Sequence, residues 1–134
     1  MKGKWFTTSV YVQYRDVDSA GHVNNAVYLH YLEDMRMEFL KRLYGKYDCE
    51  DIDFVLAGLT INYHSRAAYR ETLLVNIRPT KVGNTSWAFD FNIVEKKTRR
   101  LICDGASVQV IFDYKKGRKR PIPKWLREKL EAVL

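Results

Sequence analysis

Apolar residues between Val27 and Leu43 recur every four positions: Val27, Tyr31, Met35, Phe39 and Leu43, flanked by Tyr28 and Leu32. A single apolar stripe at this spacing predicts a helix. Glu33, Asp34, Arg36, Glu38, Lys41 and Arg42 mostly fall off the stripe. Asn24 or Asn25 suits the N-cap, where a short polar side chain accepts from unpaired backbone N–H groups. Gly45 suits the C-terminal stop. The helix should run about five turns, roughly 28 Å.

On either side the period is two. Trp5 to Tyr14 mixes aromatics, valines and threonines and reads as a strand. After the helix, Leu59, Ile61 and Tyr63 alternate with Thr60, Asn62 and His64, and Leu73, Val75 and Ile77 with Leu74, Asn76 and Arg78. Trp87, Phe89, Phe91 and Ile93 alternate with Ala88, Asp90, Asn92 and Val94. A last run from Leu101 to Phe112 alternates without showing which set faces inward. Val82-Gly83-Asn84 and Lys97-Thr98-Arg99-Arg100 supply turns between strands. Pro121 and Pro123 close the sheet region, and Leu126, Leu130 and Val133 mark a short terminal helix.

The order is strand, long helix, then four strands. Consecutive strands usually pair, which predicts an antiparallel meander of the last four. An α+β fold follows, with a curved antiparallel sheet of about five strands wrapped around one helix. Apolar residues on both faces of the sheet, more than one helix can cover, predict a partner chain. No repeat or linker divides the chain, so 1–134 is expected to be a single domain.

Composition narrows the class. The chain is 46% hydrophobic and 13% aromatic, unlike a disordered tail. No run approaches the roughly 18 apolar residues that span a membrane. The opening Met1-Lys2-Gly3-Lys4-Trp5-Phe6-Thr7 has no apolar segment of a secretory signal. Cys49 and Cys103 form no CxxC pair, which argues against a disulfide framework or a zinc site. A cytoplasmic protein is the resulting expectation. The formal charge of +7 is concentrated in Lys96, Lys97, Arg99 and Arg100, and in Lys115, Lys116, Arg118, Lys119 and Arg120. Such clusters serve either as solvated turns or as a site for an anion, whether nucleic acid or a phosphorylated small molecule.

Candidate chemistry gathers at Arg15-Asp16-Val17-Asp18-Ser19-Ala20-Gly21-His22-Val23-Asn24-Asn25-Ala26-Val27-Tyr28. Asp16, Asp18 and Gly21 match three positions of a calcium loop, but Val27 stands where the bidentate Glu is required. His22, His30 and His64 form no HExxH, so no metal is expected. Gly105-Ala106-Ser107-Val108-Gln109 fails as a serine-nucleophile elbow at its last position, and Cys103 reads as strand packing. Carboxylate chemistry beside a helix start is physically favourable. The first N–H groups of a helix lack internal partners and, with the dipole, favour developing negative charge. Asp18 could attack a carbonyl there or activate water. On the residues alone, capping of turns by Asp16 and Asp18 is the simpler role.

A resemblance tips this balance. The run Asp16-x-Asp18-x-x-Gly21-His22-Val23-Asn24-Asn25-Ala26-x-Tyr28, followed by Glu33, Arg36 and Phe39, resembles the signature of the 4-hydroxybenzoyl-CoA thioesterase group of hotdog-fold acyl-CoA thioesterases. Pro121-Ile122-Pro123 is similar to the end of many members. The resemblance implies Asp18 as the catalytic carboxylate and the Asn25 N–H as the group that polarises the thioester carbonyl. It implies His22 and Asn24 chiefly as loop-shaping and capping residues, with substrate contact the lesser role, and Tyr28 as core. Tyr63, Arg66, Lys97 and Arg99 complete the candidate substrate-binding set, the basic members meeting coenzyme A phosphates. Hydrolysis of an acyl-CoA by a homodimer or homotetramer, without cofactor, is the implied activity. An acyl-carrier-protein thioesterase and a non-catalytic nucleic-acid-binding module are the rivals. The chain departs from the family at Arg66-Ala67-Ala68-Tyr69-Arg70-Glu71, where relatives often carry Arg-Pro-Ala, an aromatic residue and Gly-Asp. The bend before the third strand is therefore the least determined part of the pattern.

Overall fold

The computed structural model describes residues 3–45 and 53–134. Cys49 and the opening Met1-Lys2 lie outside the described residues. Strand β1 spans Phe6–Tyr11, helix α1 Val27–Tyr44, β2 Phe54–Tyr63, β3 Thr72–Val82, β4 Ser86–Glu95, β5 Leu101–Asp113, the two-residue β6 Arg118–Lys119, and α2 Lys124–Ala132. The sheet is antiparallel with strand order β1-β3-β4-β5-β2, and β6 pairs with β5. No described helix is long and apolar enough to cross a membrane.

The helical stripe packs as its spacing requires. Tyr31, Met35 and Phe39 are buried, and the flanking Tyr28 and Leu32 are buried as fully. The Phe39 ring meets Phe6 and Phe89 edge-on, each with centroids 4.8 Å apart. Leu73, Val75 and Ile77 of β3, and Trp87, Phe89, Phe91 and Ile93 of β4, form the floor beneath α1. On β5 the register places Cys103, Gly105, Ser107, Gln109 and Ile111 opposite these β4 residues or beside them, so its more polar set faces inward. Gly105 is required there: a Cβ would sit 1.8 Å from the Thr60 carbonyl oxygen. At the C-terminus, Leu126 and Leu130 of α2 bury against the same core, with Val133 packed at its margin.

Two expectations need correction. The last four strands are not a meander. Only β3, β4 and β5 follow one another, and β2 takes the far side of β5 as the sheet's edge. The reason lies in the chain after β2. Its Ala67 carbonyl accepts from Val23 N–H at 2.9 Å, and His22 bridges Ala68. The segment thus passes across the start of α1 before β3 begins on the other side. The helix also starts later than expected: Ala26 is the N-cap residue, and its N–H donates to the Asn24 side-chain oxygen at 2.9 Å. Asn24 therefore caps the turn that leads into the helix.

The outward face of the sheet carries a polar row across five strands: Thr7, Asn76, Asn92, Asp104 and Asn62 stand in register. Asn76 donates to Asn92 at 2.7 Å, and His64 Nε2 lies 2.9 Å from Asp104. This centre is satisfied without cover. Exposed large apolar side chains on the strands are Tyr11 on β1, Leu56 and Tyr63 on β2, and Leu101 and Val108 on β5.

Candidate active site

The loop before α1 folds as a narrow ribbon. Val17 bridges Val23, Asp18 N–H donates to the His22 carbonyl at 2.9 Å, and Asn24 N–H donates to the Asp16 carbonyl at 3.1 Å. Gly21 closes the turn with φ 79°, a conformation that costs a residue with a Cβ. The two aspartates leave this ribbon differently. Asp16 is half-buried, and one of its oxygens accepts from Gln13 N–H at 3.0 Å and from Tyr31 O–H at 2.8 Å. Burial, with Asp16 adding to it, raises the Tyr31 phenol well above its ordinary pKa. Asp18 is exposed, and one oxygen accepts from Ala20 N–H at 2.9 Å. Its second oxygen has no protein partner among the described residues.

Asn25 sits where the ribbon becomes helix. The Asn24 carbonyl accepts from Val27 N–H at 2.9 Å, and the Asn25 carbonyl from Tyr63 O–H at 3.0 Å. The Asn24 side chain holds the next N–H, that of Ala26. Both peptides around Asn25 are thus pinned, while the Asn25 N–H has no acceptor among the described residues. Tyr28, fully buried beneath, accepts from Ala67 N–H at 3.0 Å, and burial raises its phenol pKa. Its ring lies 5.9 Å from that of Tyr63. This tyrosine network fixes the helix start to β2 and to the segment that follows it.

The structure brings some of the anticipated residues together and separates others. Asp18, His22, Asn24, Asn25 and Tyr63 belong to one locality. His22 is half-buried, and its Nδ1 is buried without a hydrogen-bond partner. A cavity of about 610 Å³ begins at Tyr69, whose N–H donates to Gly21, and extends over Arg70, Glu71 and Glu95 to Lys96 and Lys97. Lys97 therefore shares a cavity with Tyr69, the residue bonded to the ribbon. Arg66 and Arg99 are exposed but do not line that cavity. Arg70 and Lys96 line it instead. The signal for Arg70 was the departure before β3: without a glycine there, Arg70 itself adopts φ 70°. The bend forms all the same, held by Glu71 accepting from Ala68 N–H at 2.6 Å and by Arg100 on both Glu71 oxygens. Cys103 is buried packing, its thiol pushed up to about 12 by burial, with Asp104 adding to it. Among the described residues no three His, Cys, Asp or Glu side chains group as a metal would need.

A sheet curled around one helix, with a carboxylate loop delivered to the helix start, is the hotdog architecture of thioesterases. The chain belongs to the Thioesterase-like superfamily, which it matches over residues 12–130. It is 26% identical over 129 residues to the long-chain acyl-CoA thioesterase FadM of Escherichia coli (strain K12), covering 95% of this chain and 98% of that protein. It is 28% identical over 122 residues to the acyl-CoA thioester hydrolase YbgC of Escherichia coli O6:H1, covering 89% and 90%. A thioesterase from Thermus thermophilus, solved in complex with coenzyme A and Zn, shares the fold at a TM-score of 0.83. Identity to it is 29%, over 95% of this chain and 92% of that one.

Proposed function

We propose that this chain hydrolyses the thioester of an acyl-CoA to the free acid and coenzyme A, as a single-domain cytoplasmic homo-oligomer. The observation that carries the reading is the pinned, unoccupied Asn25 N–H at the start of α1, on the ribbon that carries Asp18. A donor fixed before reaction stabilises an oxyanion by about 3 kcal/mol without reorganising. The thioester carbonyl accepts from it. Asp18 then either takes a proton from water as that water attacks the carbonyl carbon, or attacks the carbon itself to give an anhydride that water opens. In both routes the carbon–sulfur bond breaks, the thiolate leaves, and a proton returns to sulfur. The free oxygen of Asp18 can serve either route.

Likeness to relatives named acyl-CoA thioesterases over nearly the whole chain supports coenzyme A as the carrier. Arg70, Lys96 and Lys97 along the cavity beside the ribbon supply charge for its phosphates. Exposed Leu56 and Tyr63 on the edge strand β2 favour assembly through that edge. The test is a hydrolysis screen of short, long and aromatic acyl-CoAs with free thiol as the readout. Release of thiol that depends on Asp18 is expected. No release from any acyl-CoA, with turnover of acyl carrier protein thioesters, would move the carrier assignment to that protein.

A further inference from the structure

The segment between β2 and β3 bends at a residue that does not favour the bend. Arg70 stands at φ 70°, in the left-handed region where glycine is at ease and a larger side chain is strained. The backbone is held there on both sides. Arg70 N–H donates to the Val12 carbonyl at 3.3 Å, and Glu71 N–H to the Ala68 carbonyl at 3.1 Å. A glycine would bend with less strain, so the Arg70 side chain calls for a reason of its own. Its guanidinium lies over the ring of Tyr69, with Cζ 5.1 Å from the centroid. The Tyr69 ring meets Tyr14 in turn, edge to face, with centroids 5.8 Å apart. Tyr69 and Arg70 are both exposed, so the stacked pair stands open at the surface.

This pair lines the cavity of about 610 Å³ together with Lys96 and Lys97. The acids of that cavity are already held. Glu95 accepts from the N–H groups of Lys97 and Thr98, and Glu71 from Ala68 N–H and from Arg100. Arg70, Lys96 and Lys97 are exposed and make no ion pair among the described residues. The cavity thus sets two free ammonium groups beside an open planar surface. An ammonium meets a phosphate as a point charge, whereas a guanidinium plane also stacks on flat rings. Nucleobases stack on tyrosine rings and on arginine planes alike. The site is close to the candidate chemistry. Tyr69 N–H donates to the Gly21 carbonyl at 3.3 Å, and the chain from Gly21 to Asn25 spans no more than roughly 14 Å. A pantetheine arm and its pyrophosphate bridge such a gap.

We infer that Arg70 is a specificity-determining residue: with Tyr69 it forms a platform on which the adenine of coenzyme A stacks, while Lys96 and Lys97 meet the phosphates. A phosphopantetheine arm attached to a protein has no base to place there. The platform therefore selects coenzyme A over acyl carrier protein. The inference rests on the acyl-CoA reading above and fixes how the carrier is told apart.

Calorimetry on the full chain tests it with adenosine 3′,5′-bisphosphate, which carries the base, sugar and phosphates without the thioester, and with its abasic analogue. Wild type should bind the nucleotide about tenfold tighter than the analogue, the scale of one stacked base. Arg70→Lys keeps the charge and loses the plane, and should bring the two within about twofold of each other. Arg70→Gly relieves the strain, so it should show the same loss while melting no lower than wild type; a merely structural Arg70 would leave the preference intact. Equal binding of the two ligands by wild type overturns the inference, as does binding of neither, or a tenfold preference that survives in Arg70→Lys. The wild-type ranking decides even if the variants do not fold. Free coenzyme A should displace the nucleotide. Displacement by a short adenine oligonucleotide and not by coenzyme A would give the platform to nucleic acid and overturn the reading. Thiol release from an acyl-CoA and from the matching acyl-pantetheine is scored separately. Hydrolysis of both with equal kcat/KM would reject the platform and keep the proposed activity. Base-dependent binding without hydrolysis of either would do the reverse.

Discussion

In the turn between β4 and β5, the Glu95 carboxylate accepts from the N–H groups of Lys97 and Thr98 and from the Thr98 hydroxyl. In the ribbon before α1, the Asp18 carboxylate accepts one bond, from Ala20. Both segments look alike in sequence: short, polar and charged between two regular elements. The first commits its acid to its own backbone, and its Arg100 is committed as well, to Glu71 and to the Arg66 carbonyl. The second gives the structural work to Asp16 and leaves Asp18 an open oxygen on the ribbon that leads to the open N–H of Asn25. A charged residue is a site candidate to the extent that the fold has not already used it.

The sharpest way to break this contrast is to remove the open carboxylate. Asp18→Asn keeps the size and can still cap Ala20, but it is a poor base and nucleophile. We expect a folded protein that binds acyl-CoA and loses at least about a hundredfold in kcat. Near-normal turnover by a variant with wild-type circular dichroism would end the assignment. Asp16→Asn should behave in the opposite manner. It weakens the bonds to Gln13 and Tyr31, so unfolding in urea should show a loss of about 1–2 kcal/mol, with a smaller fall in kcat. Equal losses of kcat in both variants at equal stability would mean that the ribbon acts as one structural unit.

Much of this was legible in the sequence, for physical reasons that can be traced. The stripe Val27–Leu43 fixed the helix, because one apolar face must bury whatever the topology. The β3 and β4 alternations gave their inward faces, since Leu73, Val75 and Ile77 or Trp87, Phe89, Phe91 and Ile93 differ plainly from their neighbours. β5 did not, because both of its alternating sets mix apolar with polar or small residues, and Ser107 and Gln109 turn inward. Strand order failed at β2, since adjacency in the chain carries no record of the crossing made by Ala67 and Ala68. The signature put Asp18 and Asn25 forward as candidates, and the variants proposed for them decide their roles. The role of Tyr63 in pinning Asn25 could not be read there, as the two are 38 positions apart and meet only in the folded chain.

That pinning can be sharpened next. Tyr63→Phe removes the O–H donated to the Asn25 carbonyl and keeps the ring against Tyr28. Losing about 1 kcal/mol of preorganisation corresponds to roughly a fivefold drop in kcat, with the melting temperature nearly unchanged. A change confined to KM would instead make Tyr63 a substrate contact. The cavity charges come after it. Replacing Lys97 or Arg70 by Gln should raise KM about two- to fivefold with kcat held, because phosphate contacts act on ground and transition states alike. The effect should fade as salt rises. Matching behaviour with dephosphorylated coenzyme A thioesters would show these cations to be solvated surface.

The smallest effect belongs to the other side of the comparison, the acid already committed. The Lys97 N–H, foremost, holds the Glu95 carboxyl below the usual glutamate range. Burial opposes it, while the N–H and hydroxyl of Thr98 and the charge of Arg100 add to it. A carboxyl whose folded value is depressed contributes stability above its unfolded pKa. That contribution is lost as the pH falls through the lower folded value. Glu95→Gln should therefore melt lower than wild type at neutral pH. The gap should close on acidification below the ordinary glutamate pKa of about 4.3. Because the Glu95 carboxylate is held by the turn, kcat should not move, and any change should fall on KM through the cavity wall it shares with Lys97. A gap that stays constant with pH would assign the effect to packing, and a fall in kcat would place the turn within the working site.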